Sequence, residues 1–478
     1  MKYLITAVFL CSVNYVAAQN VGIGTTTPAE KLDVVGNVKT DTVKINALQL
    51  GINRGAGKIL TSDAAGNGSW QSGLTAGNVG FGPWGDCSVN NISEYNPVID
   101  ATGAAGDYFG TRSAISGNFA IVGAYKAQVG ANGLQGTASI FEFNGTNWVL
   151  MQKLTDATGA AGDEFGSSVS ISGNYAMVGA SGDDVGANVN QGSVSIFFYN
   201  GTSWVLVQKI TDATGAANDY FGFSVCINGI NAIAGAYSDD VGANADQGSA
   251  SVYQFNGSVW VFSQKLTDAA GAAGDFFGTS CSINGINLVV GERGDDVGAN
   301  VNQGSALIYN FNNVSWVLLQ KISDATAGAG SDFGSDVSVS GSYLIVGADR
   351  DGFGNNSNFG SASIYKFTAG IWVFMQKVQN TSQAAFDYFG GSVSISGNYI
   401  VVGAFGTDVG TNLQVGSSTI YSLIGLGWKK LQYITDPQGN PGDSFGVSCG
   451  VDGTTKRFVI GANNYGSTSG SVLFGKIN

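Results

Sequence analysis

The chain has 478 residues, a formal net charge of −13, no histidine, only 12% charged residues, 73 glycines and 5 prolines. The acidic balance disfavours nucleic acid and anionic membranes as partners, since both need clustered Lys and Arg. The lack of histidine rules out Ser-His-Asp and Cys-His machinery and removes the commonest metal ligand. Aromatics, Val, Ile, Ser and Asn among so many glycines indicate short strands and tight turns rather than disorder or helices.

Residues 1–18 read as a secretory signal peptide. Lys2 gives the positive start, Leu4 to Val13 the apolar stretch, and Val16-Ala17-Ala18 a small-residue cleavage site. The expected location is secreted, cell-surface or periplasmic, with no transmembrane segment left after cleavage, because no other apolar run is long enough to span a bilayer.

Residues 19–75 fall outside the pattern that dominates the rest. Asn20-Val21-Gly22-Ile23-Gly24 with Thr25 to Pro28, then Lys31-Leu32-Asp33-Val34-Val35-Gly36 and Gly57-Lys58-Ile59-Leu60-Thr61, resemble a segment at the start of many bacterial surface and fibre-like proteins. That resemblance implies a small β module. Residues 76–91 lie in a glycine-rich stretch and read as a linker.

From residue 92 a 56-residue clock takes over. Phe-Gly recurs at Phe109, Phe165, Phe221, Phe277, Phe333, Phe389 and Phe445, and tryptophan keeps the beat at Trp148, Trp204, Trp260, Trp316, Trp372 and Trp428. A long fixed period means one supersecondary unit copied in space. In the second unit, Ser168 to Ser172 alternates as a half-buried strand, and Gly173-Asn174 turns it into Tyr175 to Val178, ending at Gly179-Ala180. A polar loop, Gly182 to Gln191, leads to a third strand, Ser193 to Tyr199, and Asn200-Gly201 turns into a fourth from Trp204. Four antiparallel strands repeated radially make a β-propeller blade, so the fold is all-β with seven blades. Val98-Ile99-Asp100 matches Leu154-Thr155-Asp156 one period on, so residues 92–100 are expected to supply the missing fourth strand of the last blade. Pro97 suits an outer strand. The recurring Phe and Trp read as packing between blades.

Phe-Gly, a strand pair ending Gly-Ala, then Asp-Asp-Val-Gly-Ala-Asn and Gln-Gly-Ser resemble the FG-GAP repeat, the unit of the integrin α-subunit propeller and of many bacterial exported proteins. The resemblance covers about residues 92–478. It implies a propeller used in adhesion or ligand binding, commonly with calcium in some blade loops. Calcium loops in that family space oxygen ligands closely around a hard cation. Unit 5 comes nearest, with Asp349, Asp351 and Asn355 as candidate ligands. Asp183-Asp184, Asp239-Asp240 and Asp295-Asp296 are candidate loop-binding residues, and their other reading is the capping of backbone turns. Aspartates ahead of each Phe-Gly (Asp107, Asp163, Asp219, Asp275, Asp332, Asp387 and Asp443) read as bonding loop amides.

Of the cysteines left after cleavage, Cys87, Cys226, Cys281 and Cys449, the last two share a repeat position in distant units and Cys226 is offset by one, so all are expected as free thiols. The function expected is non-catalytic binding of a protein or glycan at the cell surface. Two other readings stand beside it: a polysaccharide-active enzyme using carboxylates around the channel, with Glu292-Arg293 as the irregularity, and a structural spacer in the envelope.

Overall fold

The computed structural model describes residues 91–352, 358–380, 384–436, 439–463 and 469–478, together with the backbone of four short strands nearer the start of the chain. Those four form two pairs: Val21–Ile23 runs parallel to Leu32–Val34, and Lys58–Ser62 runs antiparallel to Gly68–Ser72. They belong to a compact unit of their own.

The second unit is a seven-bladed propeller of four-stranded antiparallel sheets. Blade 2 shows the pattern: Phe165–Ser172 innermost, then Tyr175–Ala180, Ser193–Tyr199 and, outermost, Trp204–Ile210. Blades 1 and 3 to 6 follow in chain order. Blade 7 takes its first three strands from Phe445–Asp452, Arg457–Ala462 and Ser471–Ile477, and its outer strand from Ile92–Ile99. The ring therefore closes where the 56-residue match placed it, with Pro97 on the outermost strand opposite Leu473.

The joint between blades accounts for the Phe-Gly signature. Each Phe is almost wholly buried, and its N–H donates to the chain just ahead of the previous blade's third strand, as Phe165 does to the Gln135 carbonyl at 2.8 Å. The glycine that follows adopts a positive φ, +93° at Gly166, and a Cβ there would meet the carbonyl of Thr137 in the previous blade. Only glycine suits both demands.

Tryptophan is interblade packing, as its periodicity predicts. Trp204 is 2% exposed and meets the ring of Phe119 in blade 1 edge-on, with centroids 5.4 Å apart. The Gln152 amide of blade 1 also grips the Trp204 backbone, donating to its carbonyl and accepting its N–H, both at 2.8 Å. The same clamp joins Gln208 to Trp260, Gln264 to Trp316, Gln320 to Trp372 and Gln376 to Trp428. No described helix is long and apolar enough to cross a membrane.

Candidate functional site

The loop aspartates are held by the scaffold. In blade 3, Lys265 of the outer strand binds Asp239 of its own blade's loop at 2.5 Å and Asp212, which follows the previous outer strand, at 3.0 Å. Lys209 holds Asp183 and Asp156 in the same way, Lys321 holds Asp295 and Asp268, and Lys377 holds Asp351 and Asp324. Burial opposes the charge on Asp212, but the Thr214 amide and the Lys265 ammonium outweigh it and keep the carboxyl below its usual range. The second aspartate of each pair caps the loop: Asp184 accepts the Asn190 N–H, Asp240 that of Asp246 and Asp296 that of Asn302. The loop amides Asn188 and Gln191 bond each other and the link after the outer strand.

The unit-5 loop shows the same construction. Asp351 carries the Lys377 ammonium at 2.5 Å and the Ser361 hydroxyl at 2.7 Å, so a cation already occupies its oxygen. Asp349 faces other groups, namely Asp332, Arg350 and Arg293. Asn355 lies outside the described residues. Among the described residues no group of three or more His, Cys, Asp or Glu side chains converges.

Three sequence readings are corrected by these positions. Asp163, Asp219 and Asp275 stand two residues before Phe and accept a loop N–H, as Asp163 does from Ala160 at 2.6 Å. Asp332 stands one residue before Phe333, so Ser331 takes the capping place, bonding the Gly328 carbonyl, and Asp332 faces elsewhere. Glu292 is not on the channel: it is fully buried inside blade 4, where it shares Lys321 at 2.9 Å and accepts the Ser305 hydroxyl at 3.0 Å. The offset of Cys226 does not part it from Cys281. In each inner strand the fifth residue after Phe points at the next blade, so Cys226 approaches the face of the blade-4 strand that carries Cys281, and both line the channel as free thiols. Cys449 is also free, and Cys87 is outside the described residues.

What distinguishes one blade from another is a pair of positions 17 residues apart, one just before Phe-Gly and one just after Gly-Ala. Blade 1 has Tyr108 and Tyr125, with ring centroids 5.7 Å apart and Lys126 over the Tyr108 ring at 4.2 Å. Blade 2 has Glu164, which accepts the Ser181 hydroxyl. Blade 3 stacks Tyr220 on Tyr237 at 5.5 Å, and blade 4 sets Arg293 over Phe276. Blade 5 brings Asp332 beside Asp349, with Arg350 binding Asp332 at 3.3 Å, and blade 6 stacks Tyr388 on Phe405 at 4.8 Å. Blade 7 places Ser444 and Asn463 there, 19 residues apart because its first hairpin is two residues longer. The first member of every pair has φ between +53° and +59° (Tyr108, Glu164, Tyr220, Phe276, Asp332, Tyr388, Ser444). Bulky side chains in the left-handed region are strained, yet glycine does not occupy any of the seven.

These pairs ring the mouth of the central channel, for Phe223, in contact with Tyr237 at 4.4 Å, also lines the axial cavity. Burial pushes the Asp349 carboxyl up to about 6, helped by Asp332, and its Oδ1 is buried without a hydrogen-bond partner. The sequence signal for this ring lay in the positions where the repeat fails. A search for recurring residues passes over them.

Below the mouth lies a cavity of about 310 Å³ lined by the inner strands. One tier of it, three residues after each Phe, is serine in five blades (Ser168, Ser224, Ser280, Ser392, Ser448) but Arg112 in blade 1 and Asp336 in blade 5.

The FG-GAP repeat family matches residues 96–141, 148–197, 204–253, 260–309, 316–365 and 372–421, more than half of the chain. The chain belongs to the FG-GAP repeat family. The six matches each begin on an outer strand and run through the link and the inner strands that follow, and the three inner strands of the seventh blade of this FG-GAP propeller lie beyond them. That blade departs locally: its first hairpin pairs Asp452 with Arg457 across four residues, where blade 2 pairs Ser172 with Tyr175 across two, which is why Gly461 comes two residues late. No curated protein matches the chain. The crystal structure of a functionally unknown protein from Desulfotomaculum acetoxidans DSM 771 is similar over 70% of this chain and 87% of that one, at 11% identity and a TM-score of 0.43, too distant a likeness to carry function.

Proposed function

We propose that this FG-GAP propeller is a non-catalytic, exported binding protein that engages a protein or glycan at the cell surface, in adhesion or surface assembly, through the face around its channel mouth. The observation that carries this reading is the ring of blade-specific pairs. The scaffold repeats its glycines, glutamines and lysines blade after blade, while the mouth varies, with aromatic pairs in blades 1, 3 and 6 and pairs with a polar or charged member in the others. Sites need different residues at one place, and scaffolds do not. Stacked, partly exposed Tyr and Phe with Arg and Asp between them suit sugar rings and protein hot spots alike. The signal peptide expected over residues 1–18 supports export, and no calcium is required by this reading.

The blade-5 pair favours a second reading. Asp332 and Asp349 are neighbouring carboxylates, one raised to about 6, at an aromatic-lined opening, which suits a polysaccharide-active enzyme. Two measurements separate the readings. Glycan-array and envelope-fraction binding is compared for the wild type, a mouth variant (Tyr237→Ser with Tyr388→Ser) and a variant of the opposite face (Asn174→Ala with Asn398→Ala). Binding lost only in the mouth variant supports the proposal, and equal behaviour of both variants contradicts it. Release of reducing sugar that stops in Asp349→Asn would replace the binding reading with the enzymatic one.

A further inference from the structure

We propose that the axial cavity is a binding site for a small zwitterion of the aminocarboxylate class, held between Arg112 and Asp336. This inference stands on the cavity alone and does not depend on what the mouth binds.

In four of the serine blades the hydroxyl at this tier ties the inner strand to the next blade: Ser168 donates to the Gly222 carbonyl at 2.6 Å and Ser224 to that of Gly278 at 2.8 Å, and Ser280 and Ser448 do the same. A guanidinium in blade 1 and a carboxylate in blade 5 replace that hydroxyl. The carboxylate has no proton to give, and the one bond described for the Arg112 side chain goes back to the Thr111 carbonyl beside it, at 3.1 Å. Two serine hydroxyls are thus exchanged for two charges of opposite sign on the same tier of one cavity, with Asp336 keeping a tie to the next blade through the Val393 N–H. Charge facing a restricted cavity is costly unless something compensates it.

Among the described residues the two do not compensate each other by contact. Blades 1 and 5 stand on opposite sides of the ring, and no ion pair joins Arg112 to Asp336, although the guanidinium field reaches the carboxylate. The Asp336 carboxylate is oriented by two amides, Val393 N–H to one oxygen at 2.7 Å and Val337 N–H to the other at 3.0 Å. That leaves lone pairs for an ammonium. The remaining N–H groups of Arg112 form a planar fork suited to a carboxylate. A cavity of about 310 Å³ is of small-molecule size, and the tier between the charges supplies hydroxyls. One positive and one negative end on opposite walls select a ligand with both charges over a simple acid or amine.

The test is isothermal titration calorimetry of the full chain with glycine, β-alanine and 4-aminobutyrate, against propionate and propylamine. At least one aminocarboxylate is expected to bind with a Kd of about 1 mM or tighter, and the acid and the amine at least about tenfold more weakly. Arg112→Ser and Asp336→Ser, which restore the repeat's own residue, should each weaken binding by about tenfold or more while keeping the wild-type circular dichroism spectrum. Should either fail to fold, Arg112→Lys and Asp336→Asn carry the same expectation. No binding by any aminocarboxylate up to about 50 mM, or undiminished binding in folded variants, overturns the proposal.

Discussion

Gly179 and Gly222 meet at the joint between blades 2 and 3: a Cβ on Gly179 would collide with the carbonyl oxygen of Gly222, and Gly222 itself sits at φ +89° against Ser193. The two glycines of the repeat signature are therefore two sides of one contact, made again between Gly235 and Gly278 and between Gly347 and Gly390. Gly222→Ala should destabilise the propeller by about 3 kcal/mol, from steric conflict with rigid backbone and the left-handed φ together. Urea unfolding measures it. A loss below about 0.5 kcal/mol would mean that the blades can part without cost.

Lys265 bridges two nearly buried carboxylates, Asp212 and Asp239. Lys265→Met keeps the aliphatic stem and strands both charges, so a loss of about 3 kcal/mol is expected. Adding Asp239→Asn to that variant should recover part of the loss, because one of the stranded charges is then gone. Additive losses in the double variant would show that the ion triad is not a unit.

Glu292 is the buried exception in blade 4. Burial pushes its carboxyl up to about 8, against the opposing pull of Lys321. Between its ordinary value of 4.5 and about 8 the folded chain holds a proton that the unfolded chain has released. This group therefore lowers stability as pH rises through that window. Glu292→Gln should flatten the fall in Tm between about pH 5 and pH 8 and raise Tm at the upper end. Parallel pH profiles would contradict the assignment.

Calcium removal gives a separate check. With Asp183, Asp239, Asp295 and Asp351 each carrying a lysine ammonium, a chelator should leave the Tm of the full chain unchanged. A site at 100 times its Kd would add about 2.7 kcal/mol. A calcium-dependent rise in Tm that disappears in Asp351→Ala would reverse this reading of the unit-5 loop.

The architecture was legible in the sequence because the joint between blades admits only certain residues. Gly166 and Gly222 are dictated by neighbouring backbone and Trp204 by its burial between blades against the ring of Phe119, so the repeat keeps them. The closing strand was legible for the same reason: Asp100 meets Lys153 as Asp156 meets Lys209. Periodicity could not say which carboxylate meets which lysine, because Asp183 and Lys209 are 26 residues apart and join only across the folded blade. Nor could it show the mouth. Asp332 looked like one more capping aspartate until its one-residue displacement placed it beside Asp349, and Tyr237 and Tyr388 recur in only some blades, Tyr237 as Tyr125 and Tyr388 as Tyr108 and Tyr220. Glu292 broke the repeat for a reason internal to blade 4, whereas Arg112 and Asp336 broke it on the channel.

The most direct test of the account is the binding comparison across the two faces. The propeller with Tyr237→Ser and Tyr388→Ser should keep its Tm within about 2 °C and lose at least about tenfold in affinity for whichever glycan or envelope protein the wild type retains, while Asn174→Ala with Asn398→Ala should bind as the wild type does. Retention of full affinity by the folded mouth variant would contradict the claim that this ring is the functional surface.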